Sequence, residues 1–234
     1  MAHLAVFGAG PALGLSAARR FGRAGYSVTL IARNPDRLEQ MRAVLAADGV
    51  EADVQVADLA DDPQVDVALK DLRAHHGIPD VVLYSPSGLD RLPVDALALD
   101  ADTLRAWLPT NLTTPVRIMH ALLPGMIERG SGAILVAQGS SVLHPRTMLA
   151  SVSVPQSGLL NYLYSVDQQV RPRGVRVGSL LIGRLIETSA AEQVFDTGHF
   201  DSVDAGEFER VHPDALAQDL FEMATTDAEV AREA

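Results

Sequence analysis

A glycine-rich turn near the N-terminus is the first part of the sequence that could do chemistry. Residues 8–14 read GAGPALG and follow the apolar run LAVFG at 4–8. In such a turn Gly8 permits a tight bend, Gly10 lets backbone N–H groups approach a pyrophosphate, and Gly14 lets the next helix pack closely. The N-terminus of that helix supplies donors and a favourable dipole for phosphates. A turn without a ligand is the alternative, but its position after a first strand favours a dinucleotide site.

The end of the second predicted strand, 26–32, indicates which dinucleotide fits. An acidic residue there would accept a hydrogen bond from the adenosine ribose 2′-hydroxyl and repel a 2′-phosphate. The sequence has Ala32, Arg33 and Asn34 instead. The Arg33 guanidinium offers a fork for phosphate, so we expect NADP(H) rather than NAD(H). The alternative is that Arg33 is a solvated loop charge.

Composition excludes several classes of protein. The 234 residues carry a formal charge of −11, which argues against nucleic acid or an anionic membrane as a main partner. Without cysteine there is no disulfide, cysteine zinc site or thiol catalysis, and the histidines show no metal-ligand spacing. The sequence shows no secretory signal and no apolar run long enough to span a bilayer, so we expect a cytoplasmic protein.

Strands and helices alternate along the chain. We predict strands at 4–8, 26–32, 50–58, 80–84, 132–137 and 174–182, and helices at 12–24, 35–47, 62–75, 101–129, 155–170 and 212–226. Helical crossovers between strands predict an α/β fold whose parallel sheet is covered on both faces.

The chain resembles the short-chain dehydrogenase/reductase superfamily over about residues 1–225. The resemblance is carried by FGAGPALGLSAARRF, IARNPDRL, VADL, TNLTTPVRIMHALLPGMIERGSGAILV and RPRGVRVGSLLIG. It implies a doubly wound parallel sheet of Rossmann type in a single domain over 1–234. It also implies an NAD(P) cofactor, a small-molecule substrate and a homodimer or homotetramer.

The resemblance places further residues at the cofactor and in the long helix. Asp58 and Leu59 would meet the adenine, and Ser85 and Gly88 fall in the family's Asn-Asn-Ala-Gly motif. Asn111 matches its structural and proton-relay asparagine. The predicted cofactor site therefore comprises Gly8, Gly10, Leu13, Gly14, Arg33, Asn34, Asp58, Leu59, Ser85, Gly88 and Gly183.

The family's Tyr-x-x-x-Lys pair is missing from its expected place. Counting back from RPRG, the tyrosine position falls on Val152 and the lysine position on Gln156. A slip of one residue would give Ser153 and Ser157, which are no better chemically. The family's catalytic serine position falls on Gly139.

The missing pair would have supplied a proton. A phenol of pKa about 10 exchanges protons near neutrality when a lysine cation lowers its pKa, and such help is worth ~10²–10⁴-fold. Valine cannot do this, and glutamine can hydrogen-bond ribose hydroxyls but carries no charge. The usual proton relay is therefore not available.

Other residues are candidates for catalysis. Ser140 and its neighbour Ser141 end a strand at the edge where ligands bind, and His144 has a pKa near working pH. The predicted catalytic set is Asn111, Ser140, His144 and Gln156. Backbone hydrogen bonding is the alternative role for the serines, and His144 could equally be a surface loop residue.

Residues 184–212 are expected to be irregular and to form a substrate lid. Phe195, Phe200 and Phe208 favour a loop that folds over an apolar ligand. Packing of these rings on neighbouring helices is the alternative.

Three functions remain open. The first is an atypical NADP-dependent oxidoreductase of a small organic molecule. The second is a non-redox isomerase, lyase or cyclase on the same scaffold. The third is a catalytically inactive dinucleotide-binding module, because fold alone does not fix function.

Overall fold

A parallel β-sheet forms the centre of the molecule. The computed structural model describes residues 1–86, 91–196 and 209–234, and within them seven strands form one parallel sheet. Its strands are β1 (Ala2–Phe7), β2 (Tyr26–Ala32), β3 (Ala52–Val56), β4 (Val81–Tyr84), β5 (Gly132–Gly139), β6 (Val175–Ile182) and β9 (Ala231–Glu233), in the order β3-β2-β1-β4-β5-β6-β9. The chain winds outward in both directions from β1, which is the doubly wound arrangement.

Helices cover both faces of this sheet. They are α1 (Leu13–Gly22), α2 (Pro35–Ala47), α3 (Asp62–His76), α4 (Ala101–Leu108), α5 (Thr114–Arg129), α6 (Ala150–Val170), α7 (Ala190–Asp196) and α8 (Pro213–Thr225). Buried side chains of α1, α2 and α8 pack on one face, and those of α3, α5 and α6 pack on the other. The central strands β1 and β4 are buried on both faces, which explains their nearly continuous apolar runs.

Local signals account for several helix boundaries. Asn34 caps α2 by accepting a hydrogen bond from the N–H of Arg37, and Pro35 occupies the first helical position. Asp61 caps α3 in the same way through the N–H of Gln64.

The long helix predicted over 101–129 is interrupted. A π-helical turn over Pro109–Thr113 separates α4 from α5. Pro109 lacks the N–H that would continue the α-helical hydrogen bonds, which gives the interruption a physical cause. Asn111 lies within this turn.

Two segments differ from expectation. α6 begins at Ala150 rather than 155, because Pro155 lies inside the helix and costs one hydrogen bond without ending it. The segment 184–212 is not wholly irregular, since β7 (Leu185–Ile186) pairs with β8 (Arg210–Val211) and α7 lies between them. Among the described residues, no helix is both long and apolar enough to cross a membrane.

Candidate active-site cleft

A cleft of about 870 Å³ opens at the carboxyl ends of the parallel strands. Ligands bind at this edge of doubly wound sheets, where neighbouring connections leave in opposite directions, here between β1 and β4. The predicted site residues that line it are Gly8, Gly10, Leu13, Gly14, Arg33, Asn34, Asp58, Leu59, Ser85 and Gln156.

The glycine-rich turn shapes one wall of the cleft. Gly8 has a φ of +83°, and a Cβ there would lie 2.4 Å from the backbone nitrogen of Pro86. A Cβ at Gly14 would lie 3.0 Å from the Cα of Ala9, so the start of α1 packs closely on the turn. Beside Gly10, by contrast, no described atom beyond its two chain neighbours lies within 4 Å of where a Cβ would stand.

The N-terminus of α1 fits an anion. No side chain of the described residues caps this helix, and its first turn contains no acidic residue. Ser85 adds a buried hydroxyl that has no hydrogen-bond partner among the described residues. Free helix donors, open space at Gly10 and this hydroxyl together fit the phosphates and ribose of a dinucleotide.

The far end of the cleft lies at the ends of β2 and β3, and we call it the adenosine end. It is lined by Arg33, Asn34, Asp36, Arg37, Asp58 and Leu59. The side chain of Leu59 is buried, and its carbonyl accepts a hydrogen bond from the hydroxyl of Thr114 at 2.7 Å. The Asp58 carboxylate accepts a hydrogen bond from the N–H of Ala60 at 2.9 Å.

The opposite end, which we call the catalytic end, is lined by Gly139, Ser141, Val152, Gln156 and Arg184. Gln156 Oε1 accepts a hydrogen bond from the N–H of Gly139 at 3.3 Å. Its Nε2 donates to Asn111 Oδ1 at 3.0 Å. Asn111 does not line the cleft itself, and it reaches the site through Gln156.

A nearly fully buried glutamine, Gln138, also lines this end and holds the backbone of Gln156. Gln138 Nε2 donates to the backbone carbonyl of Gln156 at 2.9 Å, and its Oε1 accepts from the Ser179 hydroxyl at 2.8 Å. Gln138 is not among the residues predicted from the sequence. The sequence does contain an indication of its role, because a polar side chain within an apolar strand is buried and needs hydrogen-bond partners.

Two predicted catalytic residues lie elsewhere. His144 is exposed, and its Nε2 lies 2.8 Å from Glu233 Oε2, outside the cleft lining. Ser140 is turned toward Gly183, where a Cβ would lie 3.0 Å from the Ser140 hydroxyl, and neither residue lines the cleft. The neighbouring Ser141 lines it instead, because a 3₁₀ turn over Ser140–Val142 follows β5. The structure therefore does not bring His144 or Ser140 to the site.

Neither a tyrosine nor a lysine lines the described part of the cleft. The only lysine of the chain is Lys70, an exposed residue of α3. Tyr84 lies behind the cleft, where its hydroxyl donates to the Thr110 carbonyl at 2.6 Å. Burial raises the pKa of the Tyr84 hydroxyl far above its ordinary value, so it stays protonated.

The segment after β6 contributes lining residues that were not individually predicted from the sequence. They are Arg184, Leu185, Ile186, Thr188, Ser189, Ala190, Ala191 and Gln193. Gly88, Phe200, Phe208 and the side chain of Phe195 lie outside the described residues. Within the described residues, no group of three histidine or acidic side chains could hold a metal ion.

The chain belongs to the short-chain dehydrogenase family, whose model matches residues 2–198. This places it in an oxidoreductase family and agrees with the seven-stranded sheet and the cleft at its carboxyl edge.

Two curated relatives illustrate the similarity. A sulfoacetaldehyde reductase of Chromohalobacter salexigens is 35% identical over 58% of this chain and 53% of its own length. The human inactive hydroxysteroid dehydrogenase-like protein 1 is 27% identical over 75% of this chain and 53% of its own length. The chain thus spans about half the length of these two relatives.

Solved structures share the fold. A variant of actinorhodin polyketide ketoreductase with NADPH superposes with a TM-score of 0.86 at 22% identity, covering 99% of this chain and 95% of that one. An NADPH-bound short-chain oxidoreductase of Pseudomonas aeruginosa, described as containing an atypical catalytic center, superposes with a TM-score of 0.80 at 19% identity. The match covers 99% of this chain and 95% of that one.

Proposed function

We propose that this chain binds NADP(H) and acts as an oxidoreductase on a small organic molecule without the usual tyrosine–lysine relay. The observation that carries the proposal is the uncapped N-terminus of α1 beside Gly10, which lies in the same cleft as Arg33. The pyrophosphate would be held by backbone donors of the turn and of α1. Arg33 would bind the 2′-phosphate, and Asp58 and Leu59 would adjoin the adenine.

At the catalytic end, the chain's own residues would position the substrate. When bound, NADP(H) supplies or accepts a hydride. The Gln156 amide would hold ribose hydroxyls, and the Ser141 hydroxyl would donate a hydrogen bond to the reacting oxygen of the substrate. Because no described side chain at this end is a general acid near neutral pH, the proton would come from water.

The comparisons support this proposal at the level of class. The relative from Chromohalobacter salexigens reduces a small aldehyde, as its name states. The oxidoreductase of Pseudomonas aeruginosa combines bound NADPH with an atypical catalytic centre. A short-chain oxidoreductase with an atypical catalytic center can thus still bind NADPH.

Cofactor binding gives the direct test. We expect NADPH to bind more tightly than NADH by fluorescence titration, and Arg33→Ala to remove that preference while leaving NADH binding unchanged. Equal affinities in the unaltered protein would overturn the role of Arg33. A panel of aldehydes, ketones and activated alkenes should then show NADPH oxidation with at least one compound; bound NADPH with no oxidation would contradict the redox function.

An inactive dinucleotide-binding module is the second candidate. The lack of a tyrosine or lysine in the described cleft lining favours it, and the human relative is named inactive. This candidate predicts NADPH binding with a change in assembly or conformation and no turnover.

We also propose a homodimer or homotetramer. Val154 and Tyr164 on α6 are exposed apolar side chains that a second copy could cover. Light scattering during size-exclusion chromatography measures the assembly directly, and a monomer at micromolar concentration would contradict the proposal.

A further inference from the structure

The catalytic end of the cleft carries a positive charge. Arg184 directly follows Gly183 after β6, is half-buried, and lines the cleft together with Ser141, Val152 and Gln156. The acidic residues among the described lining are Asp36 and Asp58, and both belong to the adenosine end. In a chain with a formal charge of −11, this end therefore presents a cation without a lining carboxylate.

Arg184 differs from most other arginines of the fold in having no hydrogen-bond or ion-pair partner among the described residues. Arg171, Arg210 and Arg232 each bind two carboxylates. Within the part of the chain that the structure describes, no hydrogen bond or ion pair involves the Arg184 side chain. A half-buried guanidinium in a concave site has lost part of its hydration, so an anionic ligand would compensate for that loss.

The cofactor does not account for this charge. Its pyrophosphate fits the turn at Gly10 and the N-terminus of α1, and its 2′-phosphate fits Arg33 at the other end of the cleft. Arg184 instead lines the same end of the cleft as Ser141, because it follows β6, and the end of β6 pairs with the end of β5, which Ser141 follows. Its planar fork of donors matches the paired oxygens of a carboxylate or a sulfonate.

We propose that Arg184 binds a carboxylate or sulfonate group of the substrate and selects anionic carbonyl compounds over neutral ones. This inference rests on the proposed oxidoreductase function for the identity of the reacting group, whereas the anion site itself does not depend on turnover. Reduction of an aldehyde that carries a carboxylate or sulfonate to the corresponding alcohol takes one hydride from NADPH and one proton from water.

Equilibrium binding tests the anion site without catalysis. Butyrate, propane-1-sulfonate and neutral butyramide are titrated into the protein saturated with NADP⁺, whose phosphates would occupy the other anion sites of the cleft, and followed by ligand-observed NMR. We expect both anions to bind roughly tenfold or more tightly than butyramide. Arg184→Gln should abolish this preference, Arg184→Lys should keep part of it, and NADP⁺ affinity should not change.

Arg37→Gln is the matched control, because it removes the same charge at the adenosine end. It should leave the preference for small anions intact. A preference that survives in Arg184→Gln, that is lost equally in Arg37→Gln, or that is absent from the unaltered protein would overturn the proposal. If one anion alone shows the preference, the site is assigned to that group.

Turnover separates this inference from the proposed function. Succinic semialdehyde and its neutral methyl ester are compared as substrates for NADPH oxidation. We expect kcat/KM for the anion to fall roughly tenfold or more in Arg184→Gln, with the ester unaffected. Equal turnover of both compounds would contradict anion selection by Arg184 but would still support the oxidoreductase function. Selective anion binding without oxidation of either compound would leave the anion site and count against the oxidoreductase.

Discussion

Gln156 Nε2 donates a hydrogen bond to Asn111 Oδ1 at 3.0 Å and thereby joins α6 to the π-helical turn. The other end of the same amide accepts the N–H of Gly139 from β5 at 3.3 Å. One neutral side chain therefore ties three elements together in the wall of the cleft. It takes the place where the family resemblance puts a lysine, and it offers hydrogen bonds without a charge.

Removing this amide should destabilise the protein. Gln156→Leu leaves the Asn111 carbonyl oxygen and the Gly139 N–H without their partner, so we expect a loss of about 1–3 kcal/mol in the free energy of unfolding. Asn111→Leu should cost a similar amount. The double variant should cost less than the sum, with a coupling of about 0.5 kcal/mol or more, measured by urea unfolding.

Gln193→Leu is the control for this cycle. Gln193 also lines the cleft, but its side chain is exposed, so its replacement should change stability by about 0.5 kcal/mol or less. Strict additivity of Gln156→Leu and Asn111→Leu would show that the hydrogen bond contributes no coupling.

Restoring the missing acid should raise activity. Val152 and Gln156 are one turn apart on α6 and both line the cleft. In the variant carrying Val152→Tyr and Gln156→Lys, the ammonium should lower the pKa of the phenol, and general acid help is worth ~10²–10⁴-fold. We expect kcat for NADPH-dependent carbonyl reduction to rise by roughly tenfold or more.

The single variants and a displaced tyrosine provide the controls. Val152→Tyr alone should gain less, because its phenol keeps a pKa of about 10. Val154→Tyr, at an exposed position of α6, should leave kcat unchanged. An unchanged kcat in a double variant that binds NADPH normally would refute this assignment of the two positions.

Local patterns predicted the sheet and several helix ends. The strand at 26–32 was predicted with its observed bounds, and Asn34 with Pro35 marked the start of α2. Such features depend on neighbours in sequence, on apolar runs and on side chains that cap the nearest N–H. The start of α6 was wrong because a proline inside a helix resembles a proline that begins one.

Orientation at the end of β5 could not be read from the sequence. Ser140 and Ser141 are adjacent and chemically identical, and the 3₁₀ turn decides that Ser141 faces the cleft. His144 meets Glu233, a contact between residues 89 positions apart. By contrast, Gly8 and Asp58 follow directly from strand ends, so their places in the cleft were predicted.

Two glycines of the phosphate turn should respond differently to alanine. At Gly8, a φ of +83° and a backbone atom 2.4 Å from the new Cβ predict a loss of stability of about 2 kcal/mol or more. At Gly10 the space is open, so stability should stay within about 0.5 kcal/mol. Gly10→Ala should instead weaken NADPH binding, because the methyl group would occupy space near the phosphates. Thermal unfolding and fluorescence titration measure the two effects, and normal NADPH affinity in Gly10→Ala would contradict the phosphate site.

His3 should make stability depend on pH. Its ring is buried between the hydroxyls of Ser27 and Thr29 and stacks on His76 at 4.4 Å. Burial, with a smaller contribution from His76, lowers the pKa of His3 from 6.5 to about 4. The folded state therefore disfavours the proton. The contribution of neutral His3 to the free energy of unfolding is therefore fully present above pH 6.5. It is lost as the pH falls toward 4, by about 3 kcal/mol in all.

Urea unfolding between pH 4 and pH 7 measures this loss. His3→Gln keeps a polar side chain but does not titrate, so it should flatten the pH dependence. His75→Gln is the control. His75 is the exposed neighbour of His76 on α3, so its replacement should leave the pH dependence of stability unchanged. The same slope in His3→Gln as in the unaltered protein would contradict the assignment to His3.

Thr188 holds a strained backbone in the cleft wall. Its φ of 61° is unusual for a β-branched residue, and its N–H donates to Glu192 Oε2 at 2.7 Å. Glycine adopts this conformation without strain, so we expect Thr188→Gly to raise the free energy of unfolding by about 1 kcal/mol. Thr188→Val keeps the branched shape and should gain nothing. Glycine also gives the backbone around Thr188 more conformational freedom, and binding NADPH would have to restrict that freedom. Thr188→Gly should therefore bind NADPH several-fold more weakly than Thr188→Val. Equal stabilities of the two variants in urea would show that the backbone strain carries no cost.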